Sequence, residues 1–152
     1  MRYFMLVALF VVAACSETVN PVVPPAFEGT YVAQTANGQP LPALLHEEPY
    51  LETGQVIRIY VLADTLTIEA GGLYRQRAQL ESRLDGQLIG HLIWSDHGRF
   101  VRDGERTTFE SEYLENVAFT ADRAASGTLQ VTQDLTSEST PVVHVFTRLD
   151  QP

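Results

Sequence analysis

The chain has 152 residues, of which 45 % are apolar and 19 % charged, and its formal charge is −9. That length fits one ordinary domain, and the composition excludes an intrinsically disordered chain and a collagen-like one. All ten basic residues are arginine, set against nineteen acidic ones, so the chain repels phosphate backbones and anionic lipid surfaces and nucleic-acid binding is not expected.

The first fourteen residues are apolar except for Arg2, and Phe4 to Ala14 is an unbroken apolar run. Such a run is too short to span a bilayer, which takes about 20 residues, but it suits the apolar part of a signal peptide. It closes with Val12-Ala13-Ala14 directly before Cys15, the single cysteine of the chain. This arrangement resembles the lipobox of bacterial lipoproteins. The resemblance implies a signal peptide over residues 1–14, cleavage before Cys15, a diacylglycerol thioether on its sulfur and fatty acylation of its new amine. Several acyl chains on one residue give stable anchoring where one would be marginal. The plainer alternative is an ordinary secretory signal with an incidental cysteine. Ser16 follows Cys15 where an Asp would signal inner-membrane retention, so the resemblance extends to outer-membrane sorting on the periplasmic side. Residues 15–26 are then an anchor and tether. Over the eleven residues Ser16 to Ala26, Pro21, Pro24 and Pro25 favour an extended conformation of about 3.1 Å per residue, a reach of about 34 Å at most.

From Phe27 onward no long segment has a helical period, and several alternate with period two. Phe27 to Thr35 is expected to be a first strand, followed by an Asn37-Gly38 turn. Gln39 to Pro49 carries three prolines and is expected to be irregular, with at most one helical turn around Leu44-Leu45. Gln55 to Leu62 is expected to be a strand with Ile57, Ile59 and Val61 on one face and Tyr60 on the other. Thr65 to Ala70 is expected to be another, and Gly71-Gly72 a turn. Leu73 to Leu84 alternates most clearly, with Arg75, Arg77, Gln79, Glu81 and Arg83 opposite Tyr74, Ala78, Leu80 and Leu84. Asp85-Gly86 is a strong hairpin turn, and Gln87 to Ser95 is the returning strand, with a turn at Asp96 to Gly98. Shorter candidates are Phe100 to Arg102, Thr107 to Tyr113, Val117 to Ala121 and Gly127 to Gln133, and Val142 to Leu149 closes the chain.

The expected fold is all-β, an antiparallel up-and-down meander of about eight to ten strands occupying residues 27–150. A sandwich is the alternative. Sequential hairpins favour closure into a barrel, which also removes exposed sheet edges.

Gly29-Thr30-Tyr31, Asn37-Gly38-Gln39-Pro40-Leu41-Pro42, Leu66-Thr67-Ile68 with Gly71-Gly72 and Tyr74, and the closing Val145-Phe146-Thr147-Arg148 together resemble the small lipocalin-like lipoproteins of bacteria. The resemblance covers most of Phe27 to Asp150. It implies a lipocalin-like barrel and an envelope location. Gly71-Gly72 stands where that pattern has Asp-Gly, and Asp134 to Pro141 is a long insertion before the last strand. The resemblance implies no particular ligand, because fold does not fix function.

Catalytic chemistry is thinly represented. His46, His91, His97 and His144 have no metal-ligand spacing, and solvated histidines are the expected reading. His91 and His144 are at most candidate partners on adjacent strands. Ser95-Asp96-His97 holds triad residue types, but adjacent residues cannot form triad geometry. Glu47-Glu48 and the Glu110, Glu112 and Glu115 group look like a solvated acidic face. No nucleophile elbow or phosphate loop is present, and neither enzyme activity, a metal nor a cofactor is expected. An eight-stranded barrel is either filled by its side chains or holds one small ligand. Tyr31, Tyr60, Tyr74, Trp94, Phe109, Phe119 and Phe146 are the candidates for its interior. Two functions follow. One is a lipid-anchored envelope module that takes a small apolar or amphipathic ligand into the barrel. The other is a solid-cored module that meets an envelope protein through the Asn37 to Thr53 loop or the Glu110 to Glu115 stretch.

Overall fold

The computed structural model describes residues 27–50, 53–113, 118–124, 127–133 and 141–149. Cys15, the leader and tether, Glu115 and most of the Asp134 to Pro141 insertion lie outside the described residues. Ten strands follow one another: β1 (Gly29–Ala36), β2 (Gln39–Pro40), β3 (Ala43–Tyr50), β4 (Gln55–Glu69), β5 (Leu73–Leu84), β6 (Gln87–Asp103), β7 (Arg106–Ser111), β8 (Ala118–Arg123), β9 (Leu129–Gln133) and β10 (Val142–Arg148). All pairings are antiparallel, and β1 pairs with both β10 and β4. That second pairing closes β1 and β4 to β10 into an eight-stranded up-and-down barrel, with β2 and β3 as additions on its rims.

Turn chemistry sets the hairpins. Asn37 and Asp85 have φ of 49° and 47°, and the glycines after them 75° and 84°. Two successive left-handed residues make the tight turn whose twist matches that of the strands it joins. Asn37 also ties the barrel together: its amide donates to the Val143 carbonyl, and its side-chain oxygen accepts from the Val143 amide at 2.9 Å.

Three stretches differ from the sequence expectation. The proline-bearing Gln39 to Pro49 segment is not irregular but forms β2 and β3. Both lie at the ends of the strand order, where a residue without an N–H is tolerated. The two strands expected over Gln55 to Ala70 are one, β4, interrupted by a bulge. Val61 opposes Leu80 and Ala63 opposes Gln79, so Leu62 is an extra residue that shifts the alternation. The turn expected at Asp96 to Gly98 is absent, and β6 runs straight through it. Gly98 has the reason in its missing side chain. A Cβ there would sit 2.0 Å from the Glu110 carbonyl oxygen and 3.0 Å from the Tyr74 ring, so β6 passes β7 and Tyr74 only as glycine.

The interior is layered. At one end Tyr31, Leu66, Ile68, Tyr74, Phe109, Phe119, Leu129, Val131 and Phe146 pack as a filled core. Phe109 and Phe119 stack at 4.7 Å, and Tyr74 meets both edge-on at 5.1 and 5.4 Å. Phe27 closes this end, its carbonyl accepting from the Tyr31 hydroxyl at 2.7 Å and its ring packing under Arg102 and against Phe100. One inward position further along each strand the lining changes: Phe146 gives way to His144 on β10, Val131 to Gln133 on β9, Leu66 to Asp64 on β4, and Tyr74 to Gln76 on β5. Beyond this polar layer β4, β5 and β6 continue past the rim with β3 paired on their edge.

Candidate functional site

The open end of the barrel holds a cavity of about 230 Å³. Leu45, Ile59, Val61 and Leu80 form one wall, and Ala78, Leu92, Trp94 and Val142 complete the apolar lining. Asp64, Gln76, Gln133 and His144 line it as well, and His46 sits beside them. Burial grades from one side to the other. The four inner polar residues are at most 3 % exposed in their side chains or as residues, whereas Leu92 is 58 % exposed. The polar layer is therefore the floor and the apolar ends of β3 to β6 are the mouth.

The bulge in β4 places Asp64 on that floor. Without Leu62 as an extra residue, the alternation that turns Ile59 and Val61 inward would turn Asp64 outward. Asp64 Oδ2 accepts from Gln76 Nε2 at 2.8 Å, and Gln76 Nε2 also donates to Gln133 Oε1 at 3.3 Å. His144 Nδ1 lies 2.9 Å from the same Asp64 oxygen, off the line that an N–H of the ring would need for a hydrogen bond. Asp64 Oδ1, Gln76 Oε1 and His144 Nε2 are buried with no hydrogen-bond partner among the described residues. An orphaned buried polar atom costs about 1–3 kcal/mol, and four around one floor, His144 Nδ1 included, mark a place where protein–protein hydrogen bonding is incomplete.

The second buried carboxylate is different. Asp96 accepts from the Tyr74 hydroxyl at 2.7 Å, from Ser111 Oγ at 2.6 Å and from the His97 amide at 2.8 Å. It is fully used in joining β5, β6 and β7. Burial, and after it the hydrogen bond to Asp96, push the Tyr74 phenol above its ordinary range. Ser95 and His97 flank Asp96 on the exposed face, so the three do not converge.

The sequence candidates divide. Tyr31, Tyr74, Phe109, Phe119 and Phe146 are in the filled core. Trp94 is at the cavity wall. Tyr60 belongs to neither: it falls between Ile59 and Val61, so its ring lies on the opposite face of β4, 5.5 Å from the Arg83 guanidinium. The expectation of solvated histidines fails for His144, which is 2 % exposed. His91 is on the exposed face of β6 and makes no pair with it. The Asn37 to Thr53 stretch is mostly strand, and Glu110 and Glu112 are exposed. The residues missed are Asp64, Gln76 and Gln133. Gln76 had a signal, being in phase with Tyr74 and Ala78 on the most regular strand.

Comparison with protein-family models, with curated proteins and with solved structures finds no match to this chain.

Proposed function

We propose that this protein is a lipocalin-like lipoprotein of the bacterial envelope, held by lipid on Cys15, whose barrel binds a small apolar or amphipathic ligand at its open end.

 The observation that carries this reading is the cavity of about 230 Å³, walled by apolar side chains and floored by four buried polar ones. Binding sites combine such an apolar lining with a few convergent polar groups. A barrel filled from end to end would favour the solid-cored interaction module instead.

The size bears on what is held. Sites that enclose a drug-sized ligand run to about 300–1,000 Å³, so this one encloses a smaller molecule or one end of a longer one. The prolonged strands β4, β5 and β6 supply apolar surface for the remainder at Leu80 and Leu92. Native mass spectrometry of the protein extracted from its own envelope tests the reading. The expected spectrum carries a small-molecule adduct that denaturation removes, while acyl chains on Cys15 stay attached. Native and denatured masses that agree would count against a bound ligand.

A further inference from the structure

The reading that the cavity takes a ligand is the basis for a narrower one about that ligand's polar end. Two acceptors on the floor, Asp64 Oδ1 and Gln76 Oε1, have no hydrogen-bond partner among the described residues, and beside them only the His144 ring nitrogens are likewise unpartnered. The two N–H bonds of the Gln76 amide are directed at Asp64 and Gln133, which fixes the orientation of the amide and leaves Gln76 Oε1 as an orphaned acceptor. Asp64 Oδ1 is a second. No arginine is found among the described residues that line the cavity, and lysine is absent from the chain. The nearest cation-forming group on the floor is His144, and its Nδ1 already faces Asp64 at 2.9 Å. At the mouth, His46 has Glu48 beside it at 3.3 Å, another carboxylate.

A carboxylate head would meet these acceptors with more acceptors, and burying its charge there without a pairing cation is expensive. A head that donates hydrogen bonds would instead satisfy Asp64 Oδ1 and Gln76 Oε1. We propose that the cavity takes amphipathic molecules with a donating, non-anionic head, a primary amine or an alcohol, which enters first and leaves the apolar tail against Leu80, Leu92 and Trp94.

The test uses the full chain with Cys15→Ser, a change outside the barrel that removes the lipid attachment. Trp94 is the chain's single tryptophan and lies in the cavity wall, so its emission reports occupancy. Octylamine, octanol and octanoate share one tail and differ in the head. Saturable changes in Trp94 emission with octylamine or octanol, and binding of octanoate weaker by about tenfold, are expected for the loss of a hydrogen bond to a buried acceptor. The amine and alcohol arms separate a charged donor from a neutral one. Octanoate binding as tightly as the other two overturns the proposed head group and leaves the cavity reading standing. No saturable change with any of the three, together with none for the neutral fluorophore prodan, overturns both. Asp64→Asn should reduce the preference for octylamine over octanoate. The wild-type head series decides the question even if that variant does not fold.

Discussion

His144 Nδ1 lies 2.9 Å from Asp64 Oδ2, and both side chains are almost wholly removed from solvent. The pair joins β10 to β4 across the barrel interior, between strands that are not neighbours in the sheet. Leaving a buried polar group without its neighbour costs about 1–3 kcal/mol, whereas replacing both with apolar groups of similar shape is often near neutral. His144→Ala should therefore lose about 1–3 kcal/mol in urea unfolding. The double variant Asp64→Leu with His144→Phe should lose less than the sum of its single changes. Strict additivity would show that the two residues do not interact.

Tyr74 supplies a pH dependence. Its ordinary pKa is 10.0, and burial and the bond to Asp96 raise it in the folded protein. Above about pH 10 the unfolded chain therefore gives up a proton that the folded chain keeps, so this contribution is complete below that pH and declines above it. Tyr74→Phe also strips one donor from Asp96 and should cost about 1–3 kcal/mol near neutral pH. Urea unfolding of both proteins across the alkaline range should show the advantage of the wild type narrowing as pH rises. A constant difference would contradict the assignment.

Gly98→Ala tests the close passage of β6 over β7. The added methyl would fall 2.0 Å from the Glu110 carbonyl oxygen, and backbone can relieve that only by moving the strand. A loss of at least about 1–3 kcal/mol is expected, as for overpacking in a core. The same change at Gly90, whose Cβ would meet nothing within 4 Å, should be mild. Equal effects at the two sites would rule out this account of Gly98.

The proposed lipid anchor on Cys15 has a direct signature. Detergent extraction and mass spectrometry of the mature N-terminus should find Cys15 as the first residue and carrying acyl chains. A soluble product with a free thiol at Cys15 would refute the anchoring.

The tight hairpins at Asn37-Gly38 and Asp85-Gly86 and the alternation of Leu73 to Leu84 were legible because each depends on adjacent residues alone. The polar floor and the buried Asp96 were not, for three separate reasons. The Leu62 bulge shifts the alternation just before Asp64, and a bulge is invisible to a period-two pattern. Asp96-His97-Gly98 has turn composition, yet Asp96 is buried by tertiary bonds to Tyr74 and Ser111. His144 lies in Val142 to Phe146, where both faces are apolar and the inward one is set only by pairing with β9 and β1. The prolines of β2 and β3 likewise read as irregular, because an edge position is a property of the whole sheet.

Uptake of prodan by the full chain with Cys15→Ser, compared with the same chain carrying Ala78→Phe, tests the central claim most directly. Ala78 is 5 % exposed and lines the cavity, so a phenyl ring there occupies the space a ligand would take. Saturable one-site uptake that Ala78→Phe abolishes, in a variant that keeps its β-sheet circular dichroism, is the expected result. Uptake that never saturates, or that Ala78→Phe leaves unchanged, would contradict it.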